Sequence, residues 1–167
     1  MKKTSNASRR LYPSPSPLEA DERLRIASAL ETTLLDGLDL YMQIKVAHWN
    51  VKGPQFASLH PLFETFAVSL GGFNDAIAER AVTLGLVVRG TARDTAAASR
   101  VAELPAGKIR DLELVALLAE RFEGYLAGVR DTRDVADGAD DQDTVDLLTG
   151  VIEEFEKHSW FLRATLA

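Results

Sequence analysis

Apolar positions recur at helical spacing from Leu24 through Ala27, Leu30, Leu34, Leu38 and Tyr41 and continue to His48, which predicts a long first helix ending before Gly53-Pro54. Ser16 is placed to cap it, with Pro17 in the first helical position and Glu19 completing a capping box. A second helical run opens near Ala57 and continues through Leu59, Phe63, Phe66, Leu70, Phe73, Ile77 and Leu84, broken only at Gly71-Gly72. Gly90, Pro105 and Gly107 then mark a long connection from Val88 to Arg110, within which Thr91 to Ser99 forms a short helix. Asp111 is expected to cap a helix with the stripe Leu112, Val115, Ala119, Phe122, Leu126 and Val129, and Asp143 to open another with Leu147, Val151, Phe155 and Leu162. His158 shares that last stripe and reads as a core histidine hydrogen-bonded to a neighbour. No strand alternation and no internal repeat is present.

Four long helices joined by one long crossover define an all-α, ferritin-like four-helix bundle with a short extra helix in the connection. At 167 residues the chain suits one domain, burying about two-thirds of its unfolded surface. Residues 1–17, with Ser, Asn and the repeat Pro13-Ser14-Pro15-Ser16-Pro17, read as a flexible arm, and residues 18–167 as the bundle. Charge sharpens that division. The formal net charge is -6, yet the arm carries Lys2, Lys3, Arg9 and Arg10 and no acid, so residues 18–167 hold -10. The absence of cysteine excludes disulfides and thiolate metal sites. Met1 to Ser8 has no signal-peptide apolar stretch behind it, and no apolar run approaches the roughly 18 residues of a membrane span, so a cytoplasmic protein without membrane contact is expected.

Two of the three histidines, His48 and His60, share one stretch with Glu64, Asp75 and Glu79. His60 and Glu64 are four residues apart, as are Asp75 and Glu79, so each pair projects from one helix face as a two-point ligand. Imidazole and carboxylate together suit iron, zinc or manganese. Glu64 and Asp75 are separated by about 16 Å along a helix, whereas the ions of a two-metal site sit about 4 Å apart. One chain cannot close such a site. His60 and Glu79 are, however, equally distant from the Ser69 to Leu70 bond, and so are Glu64 and Asp75. An antiparallel copy crossing there sets His60 against the partner's Glu79 and Glu64 against the partner's Asp75. Ser69, Gly71 and Gly72 permit close approach, and a two-fold contact of this kind is self-complementary. Two sites per dimer follow. His48 precedes Pro54 by as many residues as His60 follows it, so both reach one height on antiparallel helices. Trp49 is an aromatic wall beside His48, and Lys45 lies just outside the ligands. The alternative, a di-iron centre inside one bundle, needs Glu-x-x-His on two helices, a motif absent here; Glu154 and His158 are spaced by four.

The segment Ala47-His48-Trp49-Asn50-Val51-Lys52-Gly53, followed by Phe56, Leu59-His60 and Phe63-Glu64, resembles the Dps family, the DNA-binding proteins from starved cells. So does Asp75-Ala76-Ile77-Ala78-Glu79-Arg80-Ala81-Val82-Thr83-Leu84-Gly85. The likeness runs from about Leu18 to the end and includes the short crossover helix and Trp160. It implies a hollow dodecamer of ferritin-like subunits with ferroxidase centres at two-fold interfaces. There His48, His60 and Glu64 of one subunit meet Asp75 and Glu79 of the other around iron, as a dinuclear site or one tight ion with a weaker second. Many members carry Asp where this chain has Glu64. The resemblance further implies oxidation of ferrous iron, preferably by hydrogen peroxide rather than oxygen, storage of ferric mineral, and an acidic three-fold pore, here Asp137, Asp141 and Asp146. Twelve arms bearing Lys2, Lys3, Arg9 and Arg10 would add up to non-specific DNA binding at the nucleoid.

Overall fold

A computed structural model describes residues 11–167. Five helices follow in order: α1 (Ala20–Asn50), α2 (Phe56–Thr83), α3 (Ala92–Ala98), α4 (Asp111–Asp137) and α5 (Gln142–Leu166), with no strand among the described residues. The apolar stripes dictate how they associate. α1 pairs with α2 and α4 with α5, and the two hairpins join mainly through α1 against α4, while α3 rests on α1. Ile26, Leu30, Ile44, Phe63, Leu70 and Ile77 are fully buried in the shared core. Phe66, Phe122 and Phe155 form an edge-to-face ladder from α2 through α4 to α5, with ring centres 5.4 and 5.2 Å apart.

The helix starts depart from the sequence expectation. α1 begins at Ala20, because the Ser14 hydroxyl accepts the Ser16 N–H and the Ser16 hydroxyl accepts the Leu18 N–H, two local turns that keep Pro17 outside the helix. Glu19, the residue before the helix, makes no side-chain cap, and Asp21 and Glu22 supply the negative charge that the first turn favours. Asp111 is the first residue of α4 and not its cap. Its buried carboxylate is drawn instead to the Gln55 N–H in the α1–α2 loop, 2.8 Å away. Asp141, and not Asp143, caps α5, accepting from the N–H and hydroxyl of Thr144. α2 continues unbroken through Gly71-Gly72, since Phe66, Leu70 and Ile77 on either side are held in the core and packing outweighs the weak propensity of glycine. Leu112 is exposed, the buried face of α4 running through Leu114 and Leu118 instead.

Three features pin the connections. Thr91 and Asp94 form a capping box that starts α3. Asp36 in α1 accepts from the Arg100 N–H at 2.7 Å and from its guanidinium at 2.6 and 2.9 Å, which fixes the end of the crossover. Residues 11–17, assigned by composition to the free arm, lie against the end of α2, where Tyr12 N–H bonds Gly85 O and the Ser14 hydroxyl bonds Thr83 O. Lys2, Lys3, Arg9 and Arg10 fall outside the described residues. His158 is 1% exposed, between Phe66 and Phe155 at 4.5 and 5.2 Å, but neither ring nitrogen makes the expected hydrogen bond. Glu154 comes within 3.3 Å of Nε2 without making a hydrogen bond to it.

Candidate metal centre

The loop between α1 and α2 is built to bring two imidazoles together. Gly53 has φ +142°, and a β-carbon there would lie 2.4 Å from an Asp111 carboxylate oxygen, so only glycine lets Asp111 clamp this loop. The clamp sets the separation of the helix ends, a role for Asp111 that no local pattern announces. Across that separation His48 Nδ1 lies 2.8 Å from the main-chain oxygen of His60, and His60 Nδ1 lies 3.0 Å from the main-chain oxygen of His48. A carbonyl only accepts, so each Nδ1 carries a proton, and in the neutral imidazole each Nε2 then presents a lone pair. The rings stack with centroids 3.8 Å apart and 23° between planes, and Phe56 covers His60 from 5.1 Å. This is how metal-binding histidines are commonly oriented, by a hydrogen bond on the nitrogen away from the ion.

Glu64, one turn beyond His60 on α2, reaches back to α1. Its carboxylate lies 3.5 Å from His48 Nε2 and is hydrogen-bonded to the Lys45 ammonium. That hydrogen bond, with the charge of Lys45 behind it, holds the Glu64 carboxyl below its ordinary value although partial desolvation works the other way. Glu64 is therefore ionised and needs to release no proton to take up a cation. Lys45 thus contacts a ligand candidate directly, whereas Trp49 is exposed at the rim.

Asp75 and Glu79 are exposed further along α2 and do not join this group. Among the described residues, no three His, Asp or Glu side chains of one subunit gather around a point that could hold a metal ion. The outward stripe of α2 between the two groups is Thr65, Val68 and Gly72, with Val68 67% exposed. Of the small residues in the sequence argument, Gly72 faces open space, whereas a β-carbon on Gly71 would meet the Tyr41 ring at 3.6 Å. The pore candidates divide. Asp137 and Asp146 are exposed, while Asp141 is 5% exposed and bonded to Arg80 at 2.6 Å as well as capping α5. No described helix is long and apolar enough to cross a membrane.

Residues 27–167 match the ferritin-like domain family, which defines the class of the protein. The chain is 31% identical over 147 residues to the DNA protection during starvation protein of Agrobacterium fabrum, covering 88% of this chain and 91% of that one. DpsC from Streptomyces coelicolor superposes with a TM-score of 0.89 at 30% identity over 94% of this chain and 92% of its own. The Dps protein of Vibrio cholerae, described as a member of a broad superfamily of ferritin-like diiron-carboxylate proteins, gives a TM-score of 0.86 at 27% identity over 95% and 100%. The chain belongs to the Dps family.

Proposed function

We propose that this protein oxidises ferrous iron at sites shared by two subunits, with His48, His60 and Glu64 of one facing the partner's Asp75 and Glu79, and retains the ferric product inside a twelve-subunit shell. The observation that carries the reading is the reciprocal pair of imidazole bonds, which engages both Nδ1 atoms with main-chain oxygens and leaves His48 Nε2 3.5 Å from the Glu64 carboxylate. Neutral nitrogen and carboxylate oxygen suit ferrous and ferric iron, and the added acids of the partner offset the charge gained on oxidation. Ferrous iron is the substrate. With hydrogen peroxide as oxidant, two ions each give up one electron, and the peroxide takes both with two protons to form two waters. A lone ferrous ion would instead leave a hydroxyl radical, so pairing the ions removes both ingredients of radical damage to DNA.

Within that scheme the reacting ions need no proton from the ligands. Lys45 holds the Glu64 carboxyl below its ordinary value, and the Nδ1 protons of His48 and His60 stay on the nitrogens, donated to the carbonyls that orient the rings. Asp137 and Asp146 are the residues left free to line an acidic entrance. A second role, compaction of DNA by Lys2, Lys3, Arg9 and Arg10, follows from four cations without an acid at the head of an acidic chain.

Stopped-flow absorbance after mixing ferrous iron and peroxide with wild type and with the doubly substituted His48→Ala/His60→Ala protein tests the oxidation. A loss of the fast phase is expected, and equal rates would overturn the assignment. Gel shifts at low salt with Lys2, Lys3, Arg9 and Arg10 changed to Ala test the second role, for which unchanged retardation would remove the arm as the cause.

A further inference from the structure

The last carbonyls of a helix have no partner within it, so their partners show what the helix end depends on. At the end of α2, Arg80 O, Ala81 O and Val82 O accept the N–H groups of Leu84, Leu86 and Gly85. The next three carbonyls are bonded from a distant part of the chain. Thr83 O accepts the Ser14 hydroxyl at 2.6 Å, Leu84 O the Arg23 guanidinium at 3.1 Å, and Gly85 O the Tyr12 N–H at 2.9 Å. Pro13 and Pro15 keep the strap around Ser14 extended. Gly85, at φ +102°, is what admits it, since a β-carbon there would lie 2.5 Å from Tyr12 O. Thr83 is tied in both directions, for its own hydroxyl donates to Glu79 O at 2.9 Å while its carbonyl receives Ser14. Glu79 thus sits on the turn that the strap completes.

We infer that the strap carrying Tyr12 and Ser14 is a positioning element for the metal ligand Glu79, an external cap that keeps the last turn of α2 wound and the carboxylate in place before iron arrives. The inference rests on the reading of Glu79 as a ligand. A carboxylate already held costs less to bring to the ion than one on a fraying turn. Loss of the cap therefore weakens metal binding and raises the ferrous concentration needed for half-maximal rate, while the rate at saturation is kept.

Full-length wild type, Tyr12→Pro/Ser14→Ala, Ser14→Thr and Glu79→Ala proteins separate the possibilities. Proline removes the Tyr12 N–H, and threonine preserves the hydroxyl of Ser14. The measurements are amide hydrogen exchange across residues 80–86, titration with zinc alone as a redox-inert probe, and initial oxidation rate against ferrous concentration. In the double variant, exchange is expected to quicken roughly tenfold with two bonds lost. Zinc affinity falls roughly tenfold and KM rises in step, with kcat little changed. Ser14→Thr behaves as wild type, and Glu79→Ala weakens zinc without quickening exchange. Wild-type exchange in the double variant overturns the cap, and quick exchange with wild-type zinc affinity overturns the positioning role. Wild-type zinc affinity in Glu79→Ala would instead remove the ligand assignment on which the inference stands.

Discussion

His48 and His60 orient each other: each imidazole Nδ1 is bonded to the main-chain oxygen of the other residue, at 2.8 and 3.0 Å, with the rings stacked between. Phe56 also covers His60 and Glu64 approaches His48 Nε2, but the reciprocal main-chain bonds tie the two rings directly to each other. Removing one side chain takes away one donor and also the stacking surface that holds the other ring over its carbonyl. His48→Ala and His60→Ala should each slow ferrous oxidation by roughly 10–100-fold, the range seen when the orientation of a metal ligand is lost. The double variant should be little worse than either. Rates multiplying across the double variant would mean that the two rings act independently.

Pairing of subunits can be tested apart from folding because the two adjacent glycines differ. A β-carbon at Gly71 would contact the Tyr41 ring within the subunit, whereas one at Gly72 would enter open space beside exposed Val68. Gly72→Trp should leave the helical circular dichroism of the subunit unchanged and block close approach of a second α2. Light scattering should then report subunits in place of a shell, and the fast phase of oxidation should disappear with it. A Gly72→Trp monomer that still oxidises iron at the wild-type rate would refute the shared site.

The helices were legible because their apolar positions recur with the helical period, and the heights of His48 and His60 because the loop between them is short and symmetric about Pro54. What spacing cannot supply is which way a side chain turns. Ser16, Asp111 and Asp143 all look like caps, yet each loses to a competing bond or residue: Ser16 accepts locally from the Leu18 N–H, Asp141 caps in place of Asp143, and Asp111 bonds the distant Gln55. Thr91 and Asp94 were readable for the opposite reason, both halves of that box lying within one turn. Composition placed Tyr12 and Ser14 in a free arm because the carbonyls that hold them are some seventy residues away, at Gly85 and Thr83. Ring orientation at His48 and the contact of Lys45 with Glu64 likewise needed coordinates.

A buried carboxylate holds the end of the α3 crossover. Both guanidinium bonds of Arg100 fall on Asp36 Oδ2, while Oδ1 takes the Arg100 N–H, and the Asp36 side chain is 4% exposed against 50% for Arg100. Arg100→Ala leaves that carboxylate buried with its backbone donor alone and should cost about 3 kcal/mol, the scale of an uncompensated buried charge. Arg100→Lys should recover only part of this, lacking the planar fork. The informative comparison is Asp36→Ala/Arg100→Ala, which should unfold at higher denaturant than Arg100→Ala because the stranded charge is gone. A double variant less stable than the single would show that the pair contributes mainly through the chain position it fixes.

Acid sensitivity should trace to His158. Burial disfavours its charged form and lowers its pKa from the ordinary 6.5, with Lys157 acting in the same direction and Glu154 opposing. Below pH 6.5 the unfolded chain therefore binds a proton that the folded chain resists, and stability falls as the solution is acidified from there toward the folded value, beyond which no more is lost. Above pH 6.5 the contribution is fully present. His158→Phe abolishes the titration, and its ring enters a place already bounded by Phe66 and Phe155 without leaving a nitrogen unpaired. Replacing unpaired polar atoms by apolar ones of similar shape is neutral or stabilising. Unfolding temperatures of wild type and His158→Phe from about pH 7.5 to about pH 5 should therefore diverge as acid is added, by roughly 2–4 °C for each kcal/mol of proton linkage removed. Parallel curves would place the acid sensitivity elsewhere in the chain.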